Sequence, residues 1–238
     1  MLYLWLPLIG LGAAAFSTVA GFGAGIILIT FASMVMDIKT VIPISTLFFF
    51  GLSATQMVVF RKSLDWKTVL IFCGGALPGI ALGMALFHLL PAEVVKRVIA
   101  VVVLGYCANS LLKFIPERAP STRITALLSA ITGLVDAVTA SGGTIQAPLF
   151  LARGLRKEAF VASFAASSVL LNPIKVVIYW SLGYFDPRHF LLVGLLILAG
   201  FTGVQVGRRI LQRISAETFQ HLAVGFLMVL GLKLLILG

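Results

Sequence analysis

Long apolar runs separated by short charged loops make up almost the whole chain. A helix of about 20 apolar residues spans the roughly 30 Å hydrocarbon layer of a bilayer. Eight such runs lie at about 3–36, 40–60, 67–88, 93–114, 124–152, 158–182, 188–208 and 217–237. The pattern therefore predicts an all-α polytopic membrane protein.

The first run and the fifth run each contain helix-breaking residues. The stretch VAGFGAGIILIT covers 19–30, and TASGGTIQAPLF covers 139–150. The first run supplies at most about 54 Å of helix and the fifth about 44 Å, whereas two full crossings need about 60 Å. We therefore expect each to be a hairpin of two shortened helices that meet within the membrane. A pair of tilted full-length helices is the alternative for the first run.

The order of elements repeats along the chain, which indicates a duplication. The N-terminal repeat covers 1–114 and the C-terminal repeat 124–238, and the linker 115–123 is rich in proline and charge. Each repeat is predicted to hold one glycine-broken hairpin followed by three transmembrane helices. A shift of 118 residues pairs Gly25 with Gly143, Lys39 with Lys157 and Ser45 with Ser163.

Basic residues in the loops predict the topology. The loops at 61–67, 113–123, 153–158 and 208–217 are positive and are expected on the cytoplasmic side. All four loops can lie on this side only if each broken hairpin returns to the side of the membrane on which it began. Three full crossings per repeat then place the two repeats in opposite orientations, which is an inverted-topology repeat.

Composition agrees with a membrane protein. Hydrophobic residues make up 60% of the 238 residues and charged residues 11%, and the mean hydropathy is +1.11. Soluble domains contain about 25% charged residues. The formal net charge is +10, but no continuous basic surface of the kind that binds nucleic acid can be drawn. The lipid bilayer is therefore the expected partner, and nucleic acid is not.

Motifs for catalysis or for metal binding are not found in the sequence. Cys73 and Cys107 lie in apolar runs without CxxC or Cys/His spacing. There is no Walker sequence, no HExxH and no plausible Ser/His/Asp arrangement. We therefore expect neither an enzyme nor a cofactor or metal site.

The glycines at the two breaks are candidates for a binding site. They would leave backbone N–H groups uncovered at helix N-termini, which favour a small anion. Nearby hydroxyls would add donors. Close helix packing is the alternative role of such glycines in membrane bundles. The candidate substrate-binding residues at the breaks are Gly21, Gly23, Gly25, Thr139, Ser141, Gly142, Gly143 and Thr144.

Two ionisable residues, Asp136 and Lys175, fall within apolar runs. Charges at such depth are costly, so a function or a partner is expected for each. Lys175 could bind an anion or extend toward the interface, and Asp136 could carry a proton in coupling or act as the counter-ion of Lys175. Gln56, Gln146 and Asn172 could contact substrate or join helices by hydrogen bonds.

Short motifs recur at corresponding places in the two halves: GFGAG at 21–25, SGG at 141–143 followed by Pro148, and the loop pairs Asp65-Trp66 and Phe185-Asp186. Over nearly the whole chain these motifs resemble the sulfite exporter TauE/SafE family. The resemblance implies a bacterial or archaeal inner-membrane secondary transporter for small sulfur oxyanions or organosulfur anions, such as sulfite or sulfoacetate.

The main functional hypothesis is export of a small anion by alternating access, coupled to the proton gradient through Asp136. The two breaks would meet near the middle of the membrane, with one repeat rocking against the other. A passive anion channel and a non-transporting scaffold subunit are the alternatives. The oligomeric state is open, and a homodimer is one option.

Overall fold

A computed structural model describes residues 2–112, 121–155 and 157–211, together with Met228. In these ranges the chain is helical and contains no strand. The predicted helix at 217–237 and most of the linker 115–123 lie outside the described residues. The described α-helices are α1 (Leu2–Ala20), α2 (Ala24–Ala32), α3 (Ile38–Phe60), α4 (Trp66–Leu89), α5 (Ala92–Leu112), α6 (Thr122–Thr139), α7 (Gly143–Ala152), α8 (Lys157–Ser181) and α9 (Phe190–Leu211).

Several of these helices are suited to a bilayer. Large apolar side chains such as Leu70, Leu82 and Leu198 are exposed on the helix surfaces, where lipid would cover them. Five described segments are long and apolar enough to cross a membrane: Ile38–Ser63, Trp66–Leu89, Thr122–Thr139, Lys157–Ser181 and Pro187–Ile210. The protein is therefore an all-α, multi-pass membrane protein, as the hydrophobic pattern predicted.

Both broken runs consist of a long first arm and a short second arm. Helix α1 has 19 residues and α2 has 9, while α6 has 18 and α7 has 10. For the fifth run the expectation of two shortened helices is wrong, because α6 is long enough to cross a membrane. In the first run the apolar helix Leu4–Ala20 is shorter than the candidate spans. The glycine breaks thus lie near the end of a nearly full-length helix, and only the returning arm is short.

Side-chain caps begin several of the helices. The Asp37 carboxylate accepts the Lys39 N–H, and the Asp65 carboxylate accepts the Lys67 and Thr68 N–H groups. Such caps satisfy N–H groups that have no partner inside the helix. They fix the starts of α3 and α4 at short loops, as a compact bundle requires.

Glycines allow α4 and α6 to pack backbone against backbone. A Cβ built on Gly79 would overlap the carbonyl oxygen of Ala130, so the helices meet without an intervening side chain. Small residues provide this close approach in membrane proteins. The contacts advance in the same direction along both helices, so α4 and α6 run parallel. They pair Gly75 with Ala126, Gly79 with Ala130 and Gly83 with Leu134.

Helices α1 and α9 form a second glycine seam. Gly203 lies against Leu11, and Gly207 lies against Ala15, so these two helices also run parallel. The central pair, α3 and α8, packs between the two seams. The three pairs α4–α6, α1–α9 and α3–α8 form the most extensive contacts among the described helices.

The bundle has two ends with different residues. At one end, which we call the basic end, Lys62, Lys157 and Arg208 line a single cleft. At the opposite end, Lys39 Nζ lies 3.5 Å from the His88 carbonyl oxygen, and the His88 ring lies 3.3 Å from the Tyr184 hydroxyl group. Helices α3, α4, α8 and α9 each run from one end to the other.

Candidate functional site

A cavity of about 80 Å³ lies between the two glycine breaks. Gly23 and Gly25 line it from the first break, and Ser141 and Gly143 line it from the second. A site of about 10–15 Å³ holds one water molecule. The cavity can therefore hold several waters or one small ion, and it is too small for a large solute.

The first break places the start of α2 on the cavity wall. Gly23 precedes α2 with φ 98°, a left-handed conformation that favours glycine, and no side chain caps the helix. The first N–H groups of the helix have no partner within it. A Cβ on Gly25 would lie 2.8 Å from the Ala140 carbonyl oxygen, so the two breaks touch.

Hydroxyl groups stabilise the second break internally. Ala140 has φ 49° and donates its N–H to the Asp136 carbonyl oxygen, which ends α6. The Ser141 hydroxyl donates to Thr139 Oγ1 at 2.6 Å, and the Thr144 hydroxyl donates to the Ser141 carbonyl oxygen at 3.0 Å. Ser141 and Thr144 therefore shape the turn and also line the cavity.

Asp136 and Lys175 form an ion pair between α6 and α8. Lys175 Nζ lies 2.5 Å from Asp136 Oδ2, and the Gly142 N–H donates to Asp136 Oδ1 at 3.1 Å. Lys175 is only 1% exposed, so its side chain does not extend to the interface. Of the roles considered from the sequence, the structure favours the one in which Asp136 is the counter-ion of Lys175.

A neutral polar pair joins α1 to α3. Gln56 Nε2 donates to Thr18 Oγ1 at 3.1 Å, and Thr18 in turn donates to the Ala14 carbonyl oxygen at 2.8 Å. Thr18 is fully buried, while Gln56 lines the cavity. Gln56 therefore has the interhelical role that the sequence allowed, and it also faces the cavity.

Other buried polar groups differ in whether they have a partner. Gln146 Nε2 donates to Ser167 Oγ at 2.6 Å and so joins α7 to α8. Asn172 is 4% exposed and lines the cavity, and within the described ranges its side chain makes no hydrogen bond. Asn172 is therefore available to a ligand.

The structure brings most of the predicted site residues to one cavity. The three that do not line it are Gly21, which lies against Phe160, Thr139, which bonds Ser141, and Gly142, which bonds Asp136. The nine that line it are Gly23, Gly25, Gln56, Asp136, Ser141, Gly143, Thr144, Asn172 and Lys175.

Some cavity residues were missed by sequence reasoning. Ser17 and Ser53 are 5% and 6% exposed and line the cavity. A signal for Ser53 was present, because it lies three residues before Gln56 and so shares its helix face. Ser17 lies one turn before the first glycine break. Hydroxyls at both positions add donors to the wall.

Electrostatically, the cavity is balanced. Asp136 and Lys175 are the two charged residues among those described in its wall, and they neutralise each other. The other polar groups are neutral hydroxyls and amides, and two helices begin at its wall. The wall therefore offers neutral hydrogen-bonding groups and one ammonium group, which is held by a carboxylate.

Comparison with known proteins gives one match. The family model described as Sulfite exporter TauE/SafE matches residues 6–234. No curated protein and no solved structure matches the chain. Because the family match covers nearly all of the sequence, it confirms the resemblance seen in the glycine breaks. The chain belongs to the sulfite exporter TauE/SafE family of membrane transporters.

Proposed function

We propose that this protein is a secondary transporter that exports a small anion across the inner membrane of a bacterium or archaeon. The anion is sulfite or an organosulfur anion such as sulfoacetate. One observation carries the proposal, namely a small cavity between two glycine breaks with the buried Lys175 ammonium in its wall. Paired helix breaks of this kind mark the substrate sites of many transporters.

The size and chemistry of the cavity support a small anion. Its volume of about 80 Å³ suits an ion of a few atoms. The uncapped start of α2 and the amide of Asn172 offer neutral donors, and helix N-termini favour negative charge. Lys175 would supply the positive charge that selects an anion over a neutral solute.

We also propose that the two repeats have inverted topology. Helix α1 runs parallel to α9 and so toward the basic end, whereas α6 runs parallel to α4 and so away from it. Helices of one repeat also pack against helices of the other. The fourth helix of each repeat, α4 or α9, lies against the first helix of the other, as a twofold relation between the repeats requires.

The distribution of charge supports a cytoplasmic location for the basic end. This end has eight described basic residues and two acidic residues: Arg61, Lys62, Lys67, Arg123, Arg153, Lys157, Arg208, Arg209, Asp65 and Glu158. The opposite end has four basic residues and three acidic residues: Lys39, Lys96, Arg97, Arg188, Asp37, Glu93 and Asp186.

Transport would occur by alternating access, but the moving units would not be whole repeats. The glycine seams tie α4 to α6 and α1 to α9, and each seam joins helices of different repeats. Rocking one repeat against the other would open both seams. Movement of the α1–α9 unit against the α4–α6 unit, at the central α3–α8 contact, keeps both seams closed.

Asp136 is the proposed site of proton coupling. It lines the cavity and holds the one lysine found there among the described residues. A change in its protonation would therefore change the charge that a bound anion meets. The five other acidic residues in the described part of the chain lie in loops or near helix ends.

The test is sulfite flux in liposomes that contain the purified full-length protein. We expect saturable flux that responds to a proton gradient. Lys175→Gln should reduce the flux at least tenfold, and replacing both Gly142 and Gly143 with leucine should abolish it. The matched control Lys62→Gln removes an exposed lysine at the basic end and should leave the flux unchanged.

Other outcomes identify the other functions. Flux that rises linearly with the sulfite concentration and does not depend on the proton gradient would indicate a passive channel. No flux, and no thermal shift with sulfite, sulfate, thiosulfate, sulfoacetate or simple carboxylates, would favour a scaffold subunit. Equal sulfite flux in the wild type, in Asp136→Asn and in the double leucine variant would contradict the proposal.

A further inference from the structure

Two polar pairs occupy corresponding places in the two halves of the chain. Thr18 and Gln56 are 38 residues apart and join α1 to α3, while Asp136 and Lys175 are 39 apart and join α6 to α8. The shift of 118 that aligns the glycine breaks also places Thr18 on Asp136. One half therefore has a neutral hydrogen bond where the other has an ion pair.

The ion pair limits what the cavity can bind. An anion at the Lys175 ammonium also meets the Asp136 carboxylate, whose Oδ2 lies 2.5 Å from Nζ. Its attraction to the lysine is then offset by repulsion from the aspartate. A proton on Asp136 removes this repulsion and leaves the lysine with an unbalanced charge.

Few groups near Asp136 could replace it in this role. From α8 it faces Lys175 and Tyr179, whose hydroxyl donates to the Ala137 carbonyl oxygen at 3.0 Å and interacts electrostatically with Asp136. The part of α4 that packs on α6, and the turn that contributes the Gly142 N–H, have no charged residue. The charged residues described on α5 lie in its first two turns: Glu93, Lys96 and Arg97.

We propose that the cavity binds an anion and a proton together. The proton binds Asp136 Oδ2 and breaks the ion pair, and the released Lys175 ammonium then holds the anion. Thr18 and Gln56 form the corresponding neutral wall and take no part in the proton step. This inference rests on the proposed transport of a small anion through the cavity.

The linkage has a consequence for transport. If proton binding favours anion binding, the reverse must hold by the same factor. The two ions then cross together, so that export is driven by the outward gradient of the anion and is accelerated by acid on the cytoplasmic side. An exchanger that moves protons inward would show the opposite dependence.

The chain itself provides the variant that tests this inference. In Asp136→Thr with Lys175→Gln, the charged pair is replaced by the pair found at the corresponding place in the first half. The neutral hydrogen bond is expected to preserve the contact between α6 and α8, which thermal unfolding of the purified variant checks. Asp136→Asn keeps the lysine and removes only the carboxylate.

The measurement is the dissociation constant of sulfite for each full-length protein over two pH units. The ratio of two proteins' constants at each pH cancels the titration of sulfite itself. If one proton is bound with each anion, the affinity of the wild type should fall relative to that of Asp136→Asn as the pH rises, by up to about tenfold per pH unit. Asp136→Asn should lack this dependence and bind more tightly than the wild type at the higher pH. Gln56→Ala should bind more weakly with the wild-type dependence.

The outcomes separate this inference from the proposed function. Sulfite binding with the same pH dependence in the wild type and in Asp136→Asn, or sulfite binding by the double variant as tight as that of the wild type, would overturn the linkage alone. The same holds if Lys175→Gln alone binds sulfite as tightly as the wild type. If the wild type does not bind sulfite at any pH, the proposed function fails and the inference fails with it.

Discussion

Gly25 and Ala140 bring the two helix breaks into contact. A Cβ built on Gly25 would lie only 2.8 Å from the Ala140 carbonyl oxygen and 3.0 Å from the Phe49 ring. The first break therefore approaches the second as closely as a residue without a side chain allows. The contact lies at the cavity wall, because both residues line the cavity.

Gly25→Ala should impair transport by forcing the two breaks apart. Overpacking by one methyl group costs about 1–3 kcal/mol when neither neighbour can move freely, and one neighbour here is a backbone carbonyl group. We expect at least a tenfold loss of sulfite flux in liposomes. Gly12→Ala is the matched control, since a Cβ there has no neighbour within 4 Å. Equal flux in both variants would show that the contact is dispensable.

Gly79 and Gly74 give a matched pair on one helix. Gly79→Ala should destabilise the protein by about 1–3 kcal/mol, because its Cβ would overlap the Ala130 carbonyl group. Gly74→Ala meets nothing within 4 Å and should gain up to about 1 kcal/mol from the better helix propensity of alanine. Thermal unfolding in detergent measures both. If Gly79→Ala is as stable as Gly74→Ala, the α4–α6 seam is not close-packed.

Cysteine labelling tests the inverted topology. In protein with both native cysteines replaced by alanine, Glu93→Cys and Arg188→Cys should react with a membrane-impermeant maleimide in intact cells. Lys62→Cys and Arg208→Cys should react only after the membrane is opened, because they lie at the basic end. All four positions are exposed. Labelling of Lys62→Cys in intact cells would reverse the proposed orientation.

Thr30 carries a buried hydroxyl group that makes no hydrogen bond to any described residue. The residue is 1% exposed on α2. Thr30→Val keeps the shape and removes the unpaired group, so it should stabilise the protein by about 1–3 kcal/mol. Thr46→Val is the control, because the Thr46 hydroxyl donates to the Ile42 carbonyl oxygen at 2.9 Å. A melting temperature for Thr30→Val at or below that of Thr46→Val would contradict this account.

Local signals predicted the helices and their breaks. Apolar runs of membrane-spanning length and closely spaced glycines can be recognised in the sequence without knowledge of the packing. Gly23 and Gly143 could therefore be placed at helix starts from the sequence. The unequal arms could not be predicted. The end of α6 depends on the left-handed backbone conformation of Ala140. A non-glycine residue rarely adopts this conformation, and nothing in the sequence around Ala140 predicts it.

The sequence predicted the individual residues of the candidate site, but it did not predict which of them form a pair. Asp136 and Lys175 stood out because charges are rare in apolar runs. Their ion pair depends on the packing of α6 against α8, which residue spacing does not reveal. Ser17 was missed because serine is common in helices and only the fold turns it toward the cavity, whereas Ser53 shares a helix face with Gln56 and could have been found from the sequence.

Sulfite counterflow tests the central claim most directly. Liposomes loaded with unlabelled sulfite are diluted into a trace of radiolabelled sulfite, with no proton gradient applied. An alternating-access transporter that uses this cavity should accumulate label transiently in the wild type, and Lys175→Gln should not. Equilibration of the label without an overshoot in the wild type, or an equal overshoot in Lys175→Gln, would contradict the account.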